Sequence, residues 1–180
     1  RKVAATGRPF GSLILFRSAI SLMNPILTAE MHASASQSVL CWLATVDAAG
    51  QPNVSPKEIF ALLEDDFIAI ANIASPGSIR NIGQSAKVCV SFVDVFVQKG
   101  VKVLGTASVI TRADADYEQW AAPLQQKAGD RFPIRSVILI KALSAEAIVA
   151  PSYRFYPDQT TEQSQIQSAM QTYGVRPAVE

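Results

Sequence analysis

The chain has 180 residues, of which 49% are apolar and 17% charged, with a net charge of +1 and a mean hydropathy of +0.19. One domain that buries about two thirds of its unfolded surface fits this length. Near-neutral charge with no basic stripe excludes a nucleic-acid or acidic-membrane partner, and the apolar excess points to a strand-rich protein that hides further surface in an oligomer.

Taken in order, Arg1 to Leu22 has basic ends and a short apolar patch, Leu13 to Phe16, which Arg17 ends well short of a signal-peptide core or membrane span. This segment reads as a leader or an added extension before a start at Met23 or Met31; the alternative is an amphipathic arm on a partner subunit. Residues 1–22 are thus set apart from a single domain over 23–180. Cys41 and Cys89 sit singly in apolar runs, where a free thiol acts as a small hydrophobe, and a reducing cytoplasm is the expected location.

Ala29 to Gln37 predicts a weak helix, and Val39 to Val46 a buried strand that ends at a turn over Asp47 to Gly50. Gln51 to Leu62 predicts the next strand, but it contains Pro52 and Pro56, which cannot donate to a ladder. It is therefore an edge, bulged, or open to a ligand on one side. After the Glu64-Asp65-Asp66 turn, a solvated carboxylate cluster, come a strand over Phe67 to Ala71, a helix over Pro76 to Gln84 and a strand over Lys87 to Val93. Asp94 to Gly100 forms a hairpin loop and Val101 to Ile110 its return strand. Arg112 to Asp116 leads into a helix over Tyr117 to Lys127, kinked at Pro123. Val137 to Ala150 predicts a long strand broken near Leu143-Ser144, and Thr161 to Tyr173 a polar terminal helix.

Hairpin-joined strands with helices between them indicate a mainly β, antiparallel barrel with a few peripheral helices rather than a parallel doubly wound sheet. No G-x-G-x-x-G follows a strand and no G-x-x-x-x-G-K-[ST] is present, so the usual dinucleotide and triphosphate loops are absent. The most informative stretch is Ala71 to Ile82. There an apolar strand runs into Ser75-Pro76, an N-cap hydroxyl followed by a proline suited to the first helical position. Unpaired amides at such a start attract anions, and Ser78 and Arg80 complete a candidate site for a phosphorylated ligand.

These residues resemble the pyridoxamine 5′-phosphate oxidase-like, FMN-binding split-barrel family. The resemblance rests on Leu43-Ala44-Thr45-Val46-Asp47 leading to Gly50-Gln51-Pro52-Asn53, then Ser55-Pro56-Lys57, Arg80-Asn81-Ile82, Phe92-Val93-Asp94, and Lys99-Gly100 before Gly105-Thr106-Ala107. It implies a two-fold homodimer with FMN between the subunits. The flavin ring would run along Ser55, Pro56, Lys57 and Glu58 and along Ile70, Ala71 and Asn72, with Lys57 the cation at its polar edge. The phosphate would lie among Ser75, Ser78, Arg80 and Asn81, with Lys99 reaching it or the ring from the hairpin of either subunit. Gly77 departs from the pattern, where relatives often carry a basic residue. Either Arg80 and Lys99 carry more of the phosphate charge or affinity is reduced.

His32 is the single histidine, which excludes a multi-histidine metal site, and its polar surroundings suggest an exposed side chain. Trp42 and Trp120 are expected in the core and on a helix face; Trp120 or Phe96 are the candidates to stack on a flavin across the interface. Residues 150–180 lack the basic C-terminal segment of true pyridoxamine 5′-phosphate oxidases: Arg154 is one cation among aromatics, so vitamin B6 oxidation is disfavoured. The resemblance implies an FMN-dependent oxidoreductase acting on an unidentified small molecule, with an unidentified electron donor or acceptor. The alternatives are a non-catalytic flavin or haem binder and a deazaflavin-dependent reductase.

Overall fold

A computed structural model describes residues 25–178, and the expected N-terminal extension over 1–22 lies outside the described residues. The described residues form seven strands and five α-helices: α1 (Ala29–Ser36), β1 (Cys41–Val46), β2 (Pro52–Lys57), β3 (Phe60–Leu62), β4 (Phe67–Asn72), α2 (Pro76–Gln84), β5 (Lys87–Asp94), β6 (Lys99–Thr111), α3 (Tyr117–Ala128), β7 (Ser136–Val149), α4 (Ser152–Phe155) and α5 (Glu162–Tyr173). The strands make one antiparallel sheet in the order β2-β1-β5-β6-β7-β4-β3.

The segment expected as one strand over Gln51 to Leu62 is instead two strands, β2 and β3, at opposite edges of this sheet. Pro52 and Pro56 fit the edge position because their missing N–H groups need no partner on the open side. Only Glu58 and Ile59 lie between the two edge strands, so the sheet must curl until its edges approach. The Ala71 N–H donates to the Ile59 carbonyl at 2.9 Å and ties this crossing to β4. The result is the antiparallel barrel that the strand pattern predicts, in the split form that the family resemblance implies.

Alternation places the barrel core. Cys41, Leu43 and Thr45 of β1 point inward with Val90 and Phe92 of β5 and Val101 and Val103 of β6. Ile68 and Ile70 of β4 and Ile138 and Ile140 of β7 complete this cluster. The intervening residues Ala69, Val137 and Leu139 face a second cluster under α3, with Trp120, Leu124 and Ile134. Two buried faces explain why β4 and the start of β7 are continuously apolar rather than alternating. Each fully buried Ile or Leu contributes roughly 1.5–3 kcal/mol relative to exposure.

Four further expectations change. The break at Leu143-Ser144 is a β-bulge within a continuous β7: Leu104 pairs with Ser144 and Gly105 with Ala142, which leaves Leu143 unpaired and exposed. Trp42 faces outward from β1 and is 46% exposed, because its neighbours Cys41 and Leu43 take the inward positions. His32 lies within α1 and is half-buried. In the acidic turn Asp66 accepts the Leu27 N–H at 2.8 Å, while Asp65 and Asp66 both adopt positive φ.

The short α4 has no counterpart among the expected elements; it is held by Tyr153, whose hydroxyl donates to the Val97 carbonyl at 2.9 Å. α5 begins at the expected Thr161, through reciprocal bonds between Thr161 and Ser164. Among the described residues no helix is long and apolar enough to cross a membrane.

Candidate functional site around Lys57

Strand register brings the site together. Ser55 and Lys57 pair with Leu43 and Cys41 across β1, so all four side chains point to the barrel interior. Lys57 is consequently only 6% exposed. Its Nζ donates to Ser55 Oγ and, at 2.7 Å, to Ser75 Oγ, while the hydroxyls of Ser55 and Ser78 lie 3.4 Å apart. Four sequence-predicted residues therefore form one hydrogen-bonded cluster at the barrel mouth.

Ser75 reaches this position through Asn72. At the end of β4 the Asn72 Oδ1 accepts the Ser75 N–H at 3.2 Å, and its Nδ2 donates to Ser136 Oγ at 2.9 Å. The Ser75 hydroxyl thereby turns toward Lys57 and does not cap α2, contrary to the expected N-cap role. Pro76 has no N–H, and the amides of Gly77 and Ser78 lack intrahelical acceptors at these positions. The helix start keeps its partial positive charge.

Lys57 is electrostatically incomplete. Its only hydrogen-bond acceptors among the described residues are hydroxyls, and the ion pairs found there are Lys99 with Glu162 and Lys102 with Glu146. Burial pulls the Lys57 ammonium below the ordinary lysine range. The neighbouring Cys41 thiol is pushed up to about 12 by its own burial, against the smaller pull of the Lys57 charge, so it stays neutral and supplies no anion.

Beside the cluster lies a cleft of about 330 Å³ lined by Asn72, Ser75, Pro76, Ile79, Arg80 and Arg135. Arg80 was expected here; Arg135 was not. Arg135 arrives because β4 and β7 pair antiparallel to Asn72 and Ser136, and the Arg135 N–H continues the ladder to the Asn72 carbonyl at 2.9 Å. The signal for it was this strand pairing, which no local motif announces.

The remaining candidates separate. Asn81 is buried and spends its Nδ2 on Thr45 Oγ1 at 3.0 Å, anchoring α2 to β1. Ile70 and Ala71 belong to the two cores, in a strand paired on both flanks, and neither lines the cleft. Pro56 pairs with Trp42 on the outer face, and Glu58 is exposed in the crossing to β3. Trp120 is buried against Phe67 with ring centroids 5.3 Å apart, and Phe96 lies 6.1 Å from Tyr173.

Lys99 is not brought to Lys57 within one chain. It lines a second cleft of about 470 Å³ with Thr28, Met31, Gly100 and Glu162. There it forms a 2.7 Å ion pair with Glu162 and sits 4.6 Å from the Tyr153 ring centre. The hydrogen bond that its ammonium donates to Glu162 holds the Lys99 pKa above the ordinary lysine value.

An electron-rich ring edge or a phosphate fits this chemistry, because a buried ammonium, three serine hydroxyls and two guanidiniums face it without a carboxylate. Similar proteins share the frame. HupZ of Group A Streptococcus is 28% identical, over 68% of this chain and 94% of that one, with a TM-score of 0.59. A Lactobacillus delbrueckii protein described only as a candidate pyridoxamine 5′-phosphate oxidase is 27% identical over 69% and 97% of the two chains, with a TM-score of 0.57. An FMN-binding protein of Syntrophomonas wolfei shares the fold at 14% identity, covering 74% of this chain and 94% of its own, with a TM-score of 0.59. No curated protein sequence matches the chain. The family model for pyridoxamine 5′-phosphate oxidase matches residues 27–156, from the entry to the barrel through α4, and the chain belongs to that family.

Proposed function

We propose that the protein binds FMN at the Lys57–Ser75 cluster and uses it as an oxidoreductase on a small molecule, as a homodimer with the flavin between subunits. The observation that carries this reading is the buried Lys57 ammonium, which has hydroxyl partners and no carboxylate among the described residues. A buried cation is costly unless an anion or hydrogen bonds compensate it, so an incoming negative group gains what the protein leaves unsupplied. FMN, when bound, supplies the hydride or electron transfer, which few protein side chains can perform.

The chain's own residues then hold and polarise. Lys57 places its ammonium where negative charge on the ring's polar edge would be stabilised. Ser55, Ser75 and Ser78 fix the direction of that ammonium, and Arg80 with the start of α2 receives the phosphate. Cys41 remains a neutral wall. A haem in the cleft beside Ser75 would require a protein donor to its iron, and no histidine, cysteine, methionine or tyrosine lines that cleft. That favours the flavin.

The dimer reading rests on the outer face of the sheet. Val54, Ala44, Cys89 and Leu104 form one cross-strand row, with Trp42 and Pro56 paired beside it. Val54 is 57% exposed and Leu104 44% exposed. An apolar strip of this kind on a barrel is the usual mark of a partner, and a second copy presents the same strip by two-fold symmetry.

An absorbance spectrum after FMN loading and gel filtration tests the reading, followed by anaerobic addition of a nicotinamide donor. Retained flavin absorbance that bleaches with the donor is the expected result. A Soret band on the purified protein, or retention of a deazaflavin but not FMN, would refute it.

A further inference from the structure

Two guanidiniums from distant parts of the chain reach one small cleft. Arg80 comes from α2, Arg135 from the residue before β7, and both line the cleft beside Ser75. Asn72 sets both approaches: its carbonyl accepts the Arg135 N–H at 2.9 Å and its side chain accepts the Ser75 N–H at 3.2 Å. The convergence is therefore built into the backbone of the β4 terminus.

Two like charges on one concave surface repel unless something between them is negative. No carboxylate lines the cleft, and neither guanidinium has an ion pair among the described residues. Lys57, behind Ser75, adds a third cation one hydrogen bond away. Above the helix start the space is open, since a Cβ on Gly77 would meet nothing within 4 Å. Lys99, the other cation expected at the phosphate, is engaged by Glu162 in another cleft.

We infer that Arg135 is the second phosphate-binding cation of this site, closing with Arg80 on a phosphomonoester dianion at the start of α2. Planar guanidiniums from two elements that line one cleft can each offer paired donors to different oxygens of one phosphate, which a lone arginine cannot do. A cleft of about 330 Å³ is at the small end for ligand sites, sized for a phosphate and the chain beside it rather than a whole cofactor. This inference rests on the flavin reading and adds a residue that the motifs do not contain.

FMN and riboflavin differ only in the phosphate and so isolate it. Both are titrated by flavin fluorescence into the wild type, Arg135→Gln and Arg135→Lys. The wild type should prefer FMN; Arg135→Gln should lose about ten- to hundredfold in FMN affinity with riboflavin affinity unchanged, and Arg135→Lys should recover part of the loss. Unchanged FMN affinity in Arg135→Gln, or an equal loss for riboflavin, overturns the assignment. If the wild type binds neither flavin, the flavin reading fails by itself, and inorganic phosphate decides the present one. A phosphate-dependent rise in Tm in the wild type that Arg135→Gln lacks sustains the phosphate cleft. Equal responses overturn it.

Discussion

The Nζ of Lys57 donates to the Oγ of Ser75 across 2.7 Å, joining the proline-containing edge strand β2 to the residue that opens α2. The contact merges two features that are separate in the sequence, the irregular strand and the strand-to-helix turn. It also makes Lys57 part of the same cluster as the serines expected around a phosphate.

Protonation of Lys57 should couple stability and ligand binding in opposite directions. Burial holds its folded-state pKa below the ordinary value of 10.5. Below the folded pKa both states carry the proton and the folded state bears the full desolvation cost. Between the folded pKa and 10.5 the unfolded chain binds the extra proton, so stability from this group rises with pH and levels off above 10.5. FMN affinity should fall over the same window as the ammonium is lost. Urea midpoints and FMN titrations across that range check both trends, and Lys57→Met should flatten this part of each.

Arg80 is exposed and carries no ion pair among the described residues, so its removal should spare the fold. Arg80→Ala is expected to weaken FMN binding by roughly 1.5–3 kcal/mol, the scale of hydrogen bonds to charged groups, with Tm near that of the wild type without ligand. Wild-type FMN affinity in a folded variant would remove Arg80 from the site.

Gly100 is a position where backbones meet. A Cβ there would collide with the Phe92 carbonyl oxygen of the neighbouring strand β5. Gly100→Ala should cost about 3 kcal/mol or more, at the upper end for overpacking, because the obstacle is backbone rather than a movable side chain. Gly77→Ala, in open space near the start of α2, should be neutral or slightly stabilising. Denaturant unfolding of the two variants measures the contrast, and equal stabilities would contradict it.

Charge placed on the outer strip should separate the proposed dimer. Val54→Arg combined with Leu104→Arg changes two exposed positions in one cross-strand row. Sedimentation velocity should give a monomer with unchanged far-UV circular dichroism and weaker FMN binding. A persisting dimer would move the interface elsewhere.

Much of this was legible in the residues. The run Phe67 to Ala71, the Ser75-Pro76 start and the Thr161 cap carry local physics, and β4, α2 and α5 fall there within a residue or two. Ser75 and Ser78 were named as site candidates by the strand-to-helix turn itself, whereas Lys57 was named through the family resemblance. What failed was non-local. Nothing local shows that residues 52–62 serve two opposite edges, or that Leu143 is a bulge rather than an end, because both depend on which strand lies alongside. Trp42 faces outward because the inward positions of β1 belong to Cys41 and Leu43, a phase that an almost wholly apolar run conceals. Arg135 joins the cleft only through the pairing of β4 with β7. Lys99 parts from the cluster through a partner 63 residues away, Glu162.

The most direct test of the flavin site is a calorimetric titration of FMN into the wild type and Lys57→Met side by side. One FMN per chain should bind the wild type, and Lys57→Met should bind at least about tenfold more weakly, as expected when a charged hydrogen-bond donor is removed. No FMN binding by the wild type, or identical binding by both proteins, would contradict the account.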